Sequence, residues 1–410
     1  MSFNMKSGRR TVSLALALGV VVGSAGANPL LAQEEIIVGA PIPITGPFAS
    51  DGEAMQQGLE LAIAEKNAAG GLLGRPLELS TFDIGDLTPD KLEAAGTNLL
   101  QRQNSSVLIN GYGGMGPDVL AFCSYSTPYF NNNATSNVVP LRNSMGCDNI
   151  FMGSDVDVNY AQSTFSQIMS LGHEPDSKTI AIVHGPYDWE LNSAGAFREA
   201  AEAAGWTVSV ETEVPYDNRQ WQGIISELKG AQPDLVVFEL LDTAGTSTFI
   251  DQYMRDPVPR ALLYAGYIFS TPAFQEVVAN GNAEGVLGMT VSAQQPGERG
   301  DAFVARWEET YGSKPPYSIA AAIYDTFNLW AAAVEQVGSL EDDAAVHEAI
   351  MGLDYEGVTG RYAFNDDHFV PVADDTLPSQ LIQAQNGKMV AIKVGSQKVA
   401  DFMMPEWGKP

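Results

Sequence analysis

Short apolar runs alternate with amphipathic stretches along almost the whole chain, the pattern of strands feeding helices. Ile36 to Ala40 reads as a strand, and a helix follows from about Gly52 to Ala68, with Met55, Leu59, Ala62 and Ile63 sharing a face. Gly70-Gly71 ends it. Leu77 to Ile84 is the second strand, Thr88-Pro89-Asp90 opens a second helix, and Ser106 to Asn110 is the third strand. After Gly153 the same alternation starts afresh. It runs through helix Tyr160 to Leu171, strand Thr179 to His184, helix Leu191 to Ala204, strand Thr207 to Glu213, helix Gln220 to Gly230 and strand Asp234 to Glu239. Two more strands, Ala261 to Ala265 and Gly285 to Val291, precede a long helical region from Ala302 to Val337, broken near Lys314-Pro315-Pro316. The tail from Arg361 to Val394 alternates as β structure around a turn at Asn386-Gly387. Two successive βα blocks predict an α/β protein with two doubly wound lobes.

The first residues break this pattern. Lys6, Arg9 and Arg10 precede an apolar stretch, Val12 to Val22, too short for a permanent membrane span. Ala25-Gly26-Ala27 offers a small-x-small cleavage site. Residues 1–27 therefore read as a signal peptide for export to a periplasm. The whole chain of 410 residues carries 22 Lys and Arg against 50 Asp and Glu, and removing the leader makes it more acidic still. Such a surface repels phosphate, which argues against nucleic acid as a partner.

In an oxidising compartment the only two cysteines, Cys123 and Cys147, read as a disulfide. Closing that loop is worth about 3–4 kcal/mol by chain entropy. No histidine stands beside them, so neither zinc binding nor thiol catalysis is expected, and the four histidines, His173, His184, His347 and His368, are dispersed. P-loop, nucleophile-elbow, H-E-x-x-H and EF-hand signatures are absent from the sequence. Gly111-Tyr112-Gly113-Gly114-Met115-Gly116 matches G-x-G-x-x-G, but it follows the third strand of its block and the next strand tip carries no acid. It reads as a turn whose backbone N–H groups face a ligand, not as a dinucleotide site. No enzyme activity, cofactor or metal is expected.

Ile37-Val38-Gly39-Ala40-Pro41-Ile42-Pro43-Ile44-Thr45-Gly46-Pro47, then Gly70-Gly71-Leu72-Leu73-Gly74-Arg75-Pro76-Leu77, resembles the opening of the Leu/Ile/Val-binding protein family of periplasmic receptors, with its urea- and amide-binding relatives. The likeness continues through Ile180 to His184, Pro233 to Phe238 and Tyr317 to Leu329. It implies a type I periplasmic binding fold: two Rossmann-like lobes, residues 34–153 plus 291–362 and 154–290 plus 363–410, joined by three hinge strands. The hinges fall near Gly153-Ser154, Leu287 to Val291 and Tyr362 to Asn365, and the Cys123–Cys147 pair resembles a cystine common in the family. It also implies the solute-binding component of an ABC importer, a monomer handing its ligand to a membrane permease. A periplasmic sensor presenting ligand to a chemoreceptor or histidine kinase is the alternative.

On this resemblance the ligand meets Tyr112, Gly113 and Gly114 after the third strand, and Asn133 and Thr135 after the fourth. Gly114 stands where amino-acid binders carry a serine, whereas Thr135 matches their carboxylate-binding threonine. Tyr187 and Trp189 stand where amide binders carry an aromatic pair. Tyr267 stands near the position of the ammonium-binding acid, leaving Glu239 or Asp242 to supply a charge. These departures imply an uncommon amino acid or a small amide rather than a standard branched-chain amino acid.

Overall fold

The computed structural model describes residues 34–113, 116–173, 175 and 177–409. The leader expected at residues 1–27 lies outside them, as does Gly114. Strands β1 (Ile36–Ile42), β2 (Leu77–Asp83), β3 (Val107–Asn110), β4 (Tyr129–Asn131) and β5 (Ile150–Met152) form an all-parallel sheet in the order β2-β1-β3-β4-β5. The helices of this block are α1 (Ala49–Ala68), α2 (Pro89–Gly96), α3 (Pro117–Phe122) and α4 (Val138–Met145). β1 and β3 to β5 are buried almost throughout, as continuous apolar runs in a sheet covered on both faces must be.

The second block begins with α5 (Asp157–Met169) and continues β6 (Thr179–His184), α6 (Asp188–Ala203), β7 (Thr207–Glu213), α7 (Gln222–Ala231), β8 (Leu235–Glu239), α8 (Thr243–Arg255), β9 (Leu262–Tyr264), α9 (Pro272–Ala279) and β10 (Leu287–Thr290). The chain then returns to the first sheet with α10 (Glu298–Tyr311), α11 (Ala320–Val337) and α12 (Asp343–Gly352). Arg306 of α10 pairs with Glu65 of α1 at 2.7 Å, and the Tyr311 hydroxyl donates to the Gln57 carbonyl. A two-strand hairpin, β11 (Tyr355–Glu356) and β12 (Arg361–Tyr362), is tied to α11 by Asp325, which accepts bonds from the Val358 and Thr359 amides. Finally β13 (Gln380–Gln385), β14 (Lys388–Val394) and β15 (Gln397–Lys398) add antiparallel strands beside β10. The second sheet reads β15-β14-β13-β10-β9-β8-β6-β7.

The protein is thus a two-lobed α/β fold with doubly wound sheets and three chain crossings. Residues 364–369, assigned from sequence to the second lobe, lie against the first sheet: Phe369 bridges to Met152, and the Phe364 and His368 rings pack on Phe151. Each sheet has a point where strand order reverses, between β1 and β3 in the first and between β6 and β8 in the second. Loops leaving the carboxyl ends of such strands form the crevices where open α/β sheets bind ligands.

The expected disulfide is present. Cys123, after α3, joins Cys147, after α4, with Cα atoms 5.2 Å apart.

Candidate functional site: an aromatic cleft between the lobes

Seven loops leaving reversal-point strands and their neighbours converge on one cavity of about 60 Å³. From the first lobe come Phe48 and Asp51 after β1, Leu87 after β2, Tyr112 and Gly113 after β3, and Asn133 and Thr135 after β4. From the second come Trp189 after β6, Leu241 after β8, and Tyr267 and Ile268 after β9.

The walls are aromatic and contiguous. Phe48 meets Tyr112 edge-on at 5.7 Å between centroids, Tyr112 meets Tyr267 edge-on at 6.5 Å, and Trp189 lies 6.0 Å from Tyr267. The Tyr112 and Tyr267 hydroxyls stand 3.2 Å apart across the cleft, so the two lobes touch through a hydrogen bond within the site. Two further bonds cross nearby. Asn137 donates to Asp188, and the Ser136 amide donates to Asp157 of α5, whose other oxygen accepts from Asn192 of α6.

The loop positions are set by buried polar side chains. Asn110, last in β3, accepts from the Tyr112 amide and donates to the Tyr112 carbonyl, folding the turn back on its own strand. Asp118 of α3 accepts from Tyr129 and Asn131, and Asn131 accepts from the Asn133 amide, fixing the turn after β4. Gly111 is required by close approach: a Cβ there would lie 2.4 Å from Met55 Cε and 2.5 Å from Ile319. The glycine-rich stretch thus lets α1 and α11 reach the sheet, and the helix after it, α3, is only six residues long. In the second lobe Glu190 accepts from the Tyr187 and Leu241 amides, linking the loops after β6 and β8.

Of the residues expected from sequence, Tyr112, Gly113, Asn133, Thr135, Trp189 and Tyr267 meet in the cavity. Tyr187 does not line it; it is 46% exposed and packs edge-on against Tyr216. Glu239 is buried behind the wall, where it accepts from Ser193 and occupies the space left by Gly266, whose φ is +68°. Asp242 caps α8 through the Gly245 amide and pairs with Arg219 at 2.5 Å. Neither acid supplies the cleft with charge. Asp51 does. It is 3% exposed, and burial pushes its carboxyl up to about 7, with the nearby Tyr112 and Ser318 hydroxyls pulling the other way. Sequence reasoning missed it because an acid in a helix's first turn ordinarily complements the helix dipole. Its place just beyond a reversal-point strand was the available signal.

Residues 35–384 match the periplasmic binding protein family over most of the chain. The chain belongs to that family. It is similar over 95% of its length, at 23% identity, to Leu/Ile/Val-binding protein homolog 7 of Brucella abortus (strain 2308), covering 99% of that protein. A structure of a branched-chain amino acid ABC transporter protein from Silicibacter pomeroyi superimposes with a TM-score of 0.82 at 26% identity, covering 91% of this chain and 100% of the other. The substrate-binding protein LivJ of Streptococcus pneumoniae, solved with isoleucine, gives 0.76 at 20% identity, covering 88% and 99%. This periplasmic binding protein is a solute-binding protein and not an enzyme. No helix among the described residues is long and apolar enough to cross a membrane.

Proposed function

We propose that this protein is the capture component of an ABC importer, taking a small amino-acid-like or amide-like solute between its lobes and presenting the closed form to a membrane permease. The observation that carries the reading is the Tyr112–Tyr267 contact, which joins the lobes inside an aromatic cavity. An open clamp would bind on one lobe and close as the second adds contacts, a hinge-type population shift. The resemblance puts the hinges near Gly153-Ser154, Leu287 to Val291 and Tyr362 to Asn365, and the bridge from Phe369 to Met152 supports moving the third a few residues later. Capture takes place in the periplasm, by a monomer, after removal of the leader at residues 1–27.

A thermal-shift screen of the mature chain against amino acids, amides, amines, betaines and aromatic acids tests this. A solute at a hundred times its Kd adds about 2.7 kcal/mol of stability. Uptake of the hit by cells should then disappear when this gene is deleted. A screen without any hit, or uptake that survives deletion, would overturn the reading.

A further inference from the structure

Two buried side-chain oxygens lining the cleft lack hydrogen-bond partners, and both are acceptors: Asp51 Oδ1 and Asn133 Oδ1. A buried carboxylate oxygen left unpaired is among the costlier defects a fold can carry. No lysine, arginine or histidine lines the cavity, and Asp51 belongs to none of the ion pairs among the described residues. The lining therefore carries one carboxyl group, with the Tyr112 and Ser318 hydroxyls near it, and one amide oxygen, with no cation opposite either. Around these acceptors stand the faces and edges of Phe48, Tyr112, Trp189 and Tyr267, whose π-systems attract cations.

Resting on the solute-capture reading, we propose that the cleft is built for a small organic cation bearing N–H groups. Its nitrogen donates to Asp51 Oδ1 and Asn133 Oδ1, and its charge lies among the four aromatic rings. A primary ammonium or an amidinium answers both acceptors at once. A quaternary ammonium offers the charge but no donor, and a free carboxylate brings negative charge toward Asp51 with no cation beside it.

The test holds a branched four-carbon skeleton constant across an amine, an amide and an acid, and adds valine as the amino-acid comparison. Isobutylamine, isobutyramide, isobutyrate and valine are titrated into the mature full chain by calorimetry, then into Asp51→Asn. The expected result is that isobutylamine binds at least tenfold more tightly than the other three and that Asp51→Asn removes this preference. Amide, acid or valine binding the wild-type chain as tightly as the amine would overturn the inference while leaving solute capture standing. Amine binding unchanged in Asp51→Asn would do the same. Binding of none of the four overturns it too, and a negative result in the broad screen as well would take the capture reading down with it. Because Asp51→Asn preserves shape, its unliganded melting curve and circular dichroism separate a lost contact from a lost fold. Asn133→Ala, which removes only the second acceptor, should weaken the amine without abolishing its preference.

Discussion

The hydroxyl of Tyr112 in the first lobe lies 3.2 Å from that of Tyr267 in the second, and both rings are almost wholly buried in the wall of one cavity. On the proposed capture reading, closure and ligand contact thus fall to the same two side chains. A neutral hydrogen bond of this kind contributes about 0.5–1.5 kcal/mol net.

Tyr267→Phe keeps the ring and removes this bond. The closed form becomes less populated, and ligand affinity should fall roughly two- to twelvefold, the equivalent of that energy. Calorimetry reads the affinity, and small-angle scattering of the free protein reads the opening. Tyr112→Phe combined with Tyr267→Phe should be little worse than either alone, because both remove the same interaction. Full additivity would show that the hydroxyls act separately.

Trp189 lines the cavity from the first turn of α6 and is only 4% exposed. Trp189→Ala should cost about 3–5 kcal/mol of stability through the void it leaves, yet keep the far-ultraviolet spectrum of the folded protein. Ligand affinity should fall at least tenfold. Unchanged affinity would remove Trp189 from the site.

The Cys123–Cys147 bridge closes a separation of 24 residues between the ends of α3 and α4. Cys123→Ser with Cys147→Ser should lower stability by about 3–4 kcal/mol on the chain-entropy account. Melting curves of the double variant against the oxidised wild type measure this. A shift much smaller than that energy implies would mean the open loop is already constrained in the unfolded chain.

Burial raises several carboxyls: Asp118 and Asp325 to about 6, Asp51 and Glu190 to about 7, and Glu239 to about 8. In the unfolded chain carboxyls release their protons near pH 4. Between that point and about pH 8 the folded state holds more protons, so stability falls as pH rises through this window. The ligand-free melting temperature should be highest in mild acid and decline toward pH 8. Asp51→Asn should flatten part of the decline near pH 7; a parallel curve would show that Asp51 ionises in the fold without cost.

The strands and helices with strong periodicity were legible in the sequence: β6 and β7 fall on the predicted residues, and α1, α5, α6 and α7 within a few residues of them. Less legible were β4 and β5, three residues each, because so short a run carries no period, and α8 and α12 escaped as well. In the cavity, Tyr112 and Trp189 were marked by their place just beyond strand ends, and Tyr267 by the family resemblance alone. Glu239 and Asp242 shared that place but face elsewhere, since one side chain turns behind the sheet toward Ser193 and the other caps its own helix. Leu241 between them reaches the cavity instead. Position after a strand narrows the candidates, while the direction of each side chain depends on packing that a linear pattern does not record.

Glu190 binds the amides of Tyr187 and Leu241 from a fully buried position, so the loops that carry Trp189 and Leu241 are joined through their backbones. The rim of the second lobe is consequently a frame with exchangeable facings. A new side chain at position 189 or 241 can reshape the ligand's surroundings while the frame stays where it is, and a lineage of this fold could change its diet by single substitutions without first rebuilding its architecture.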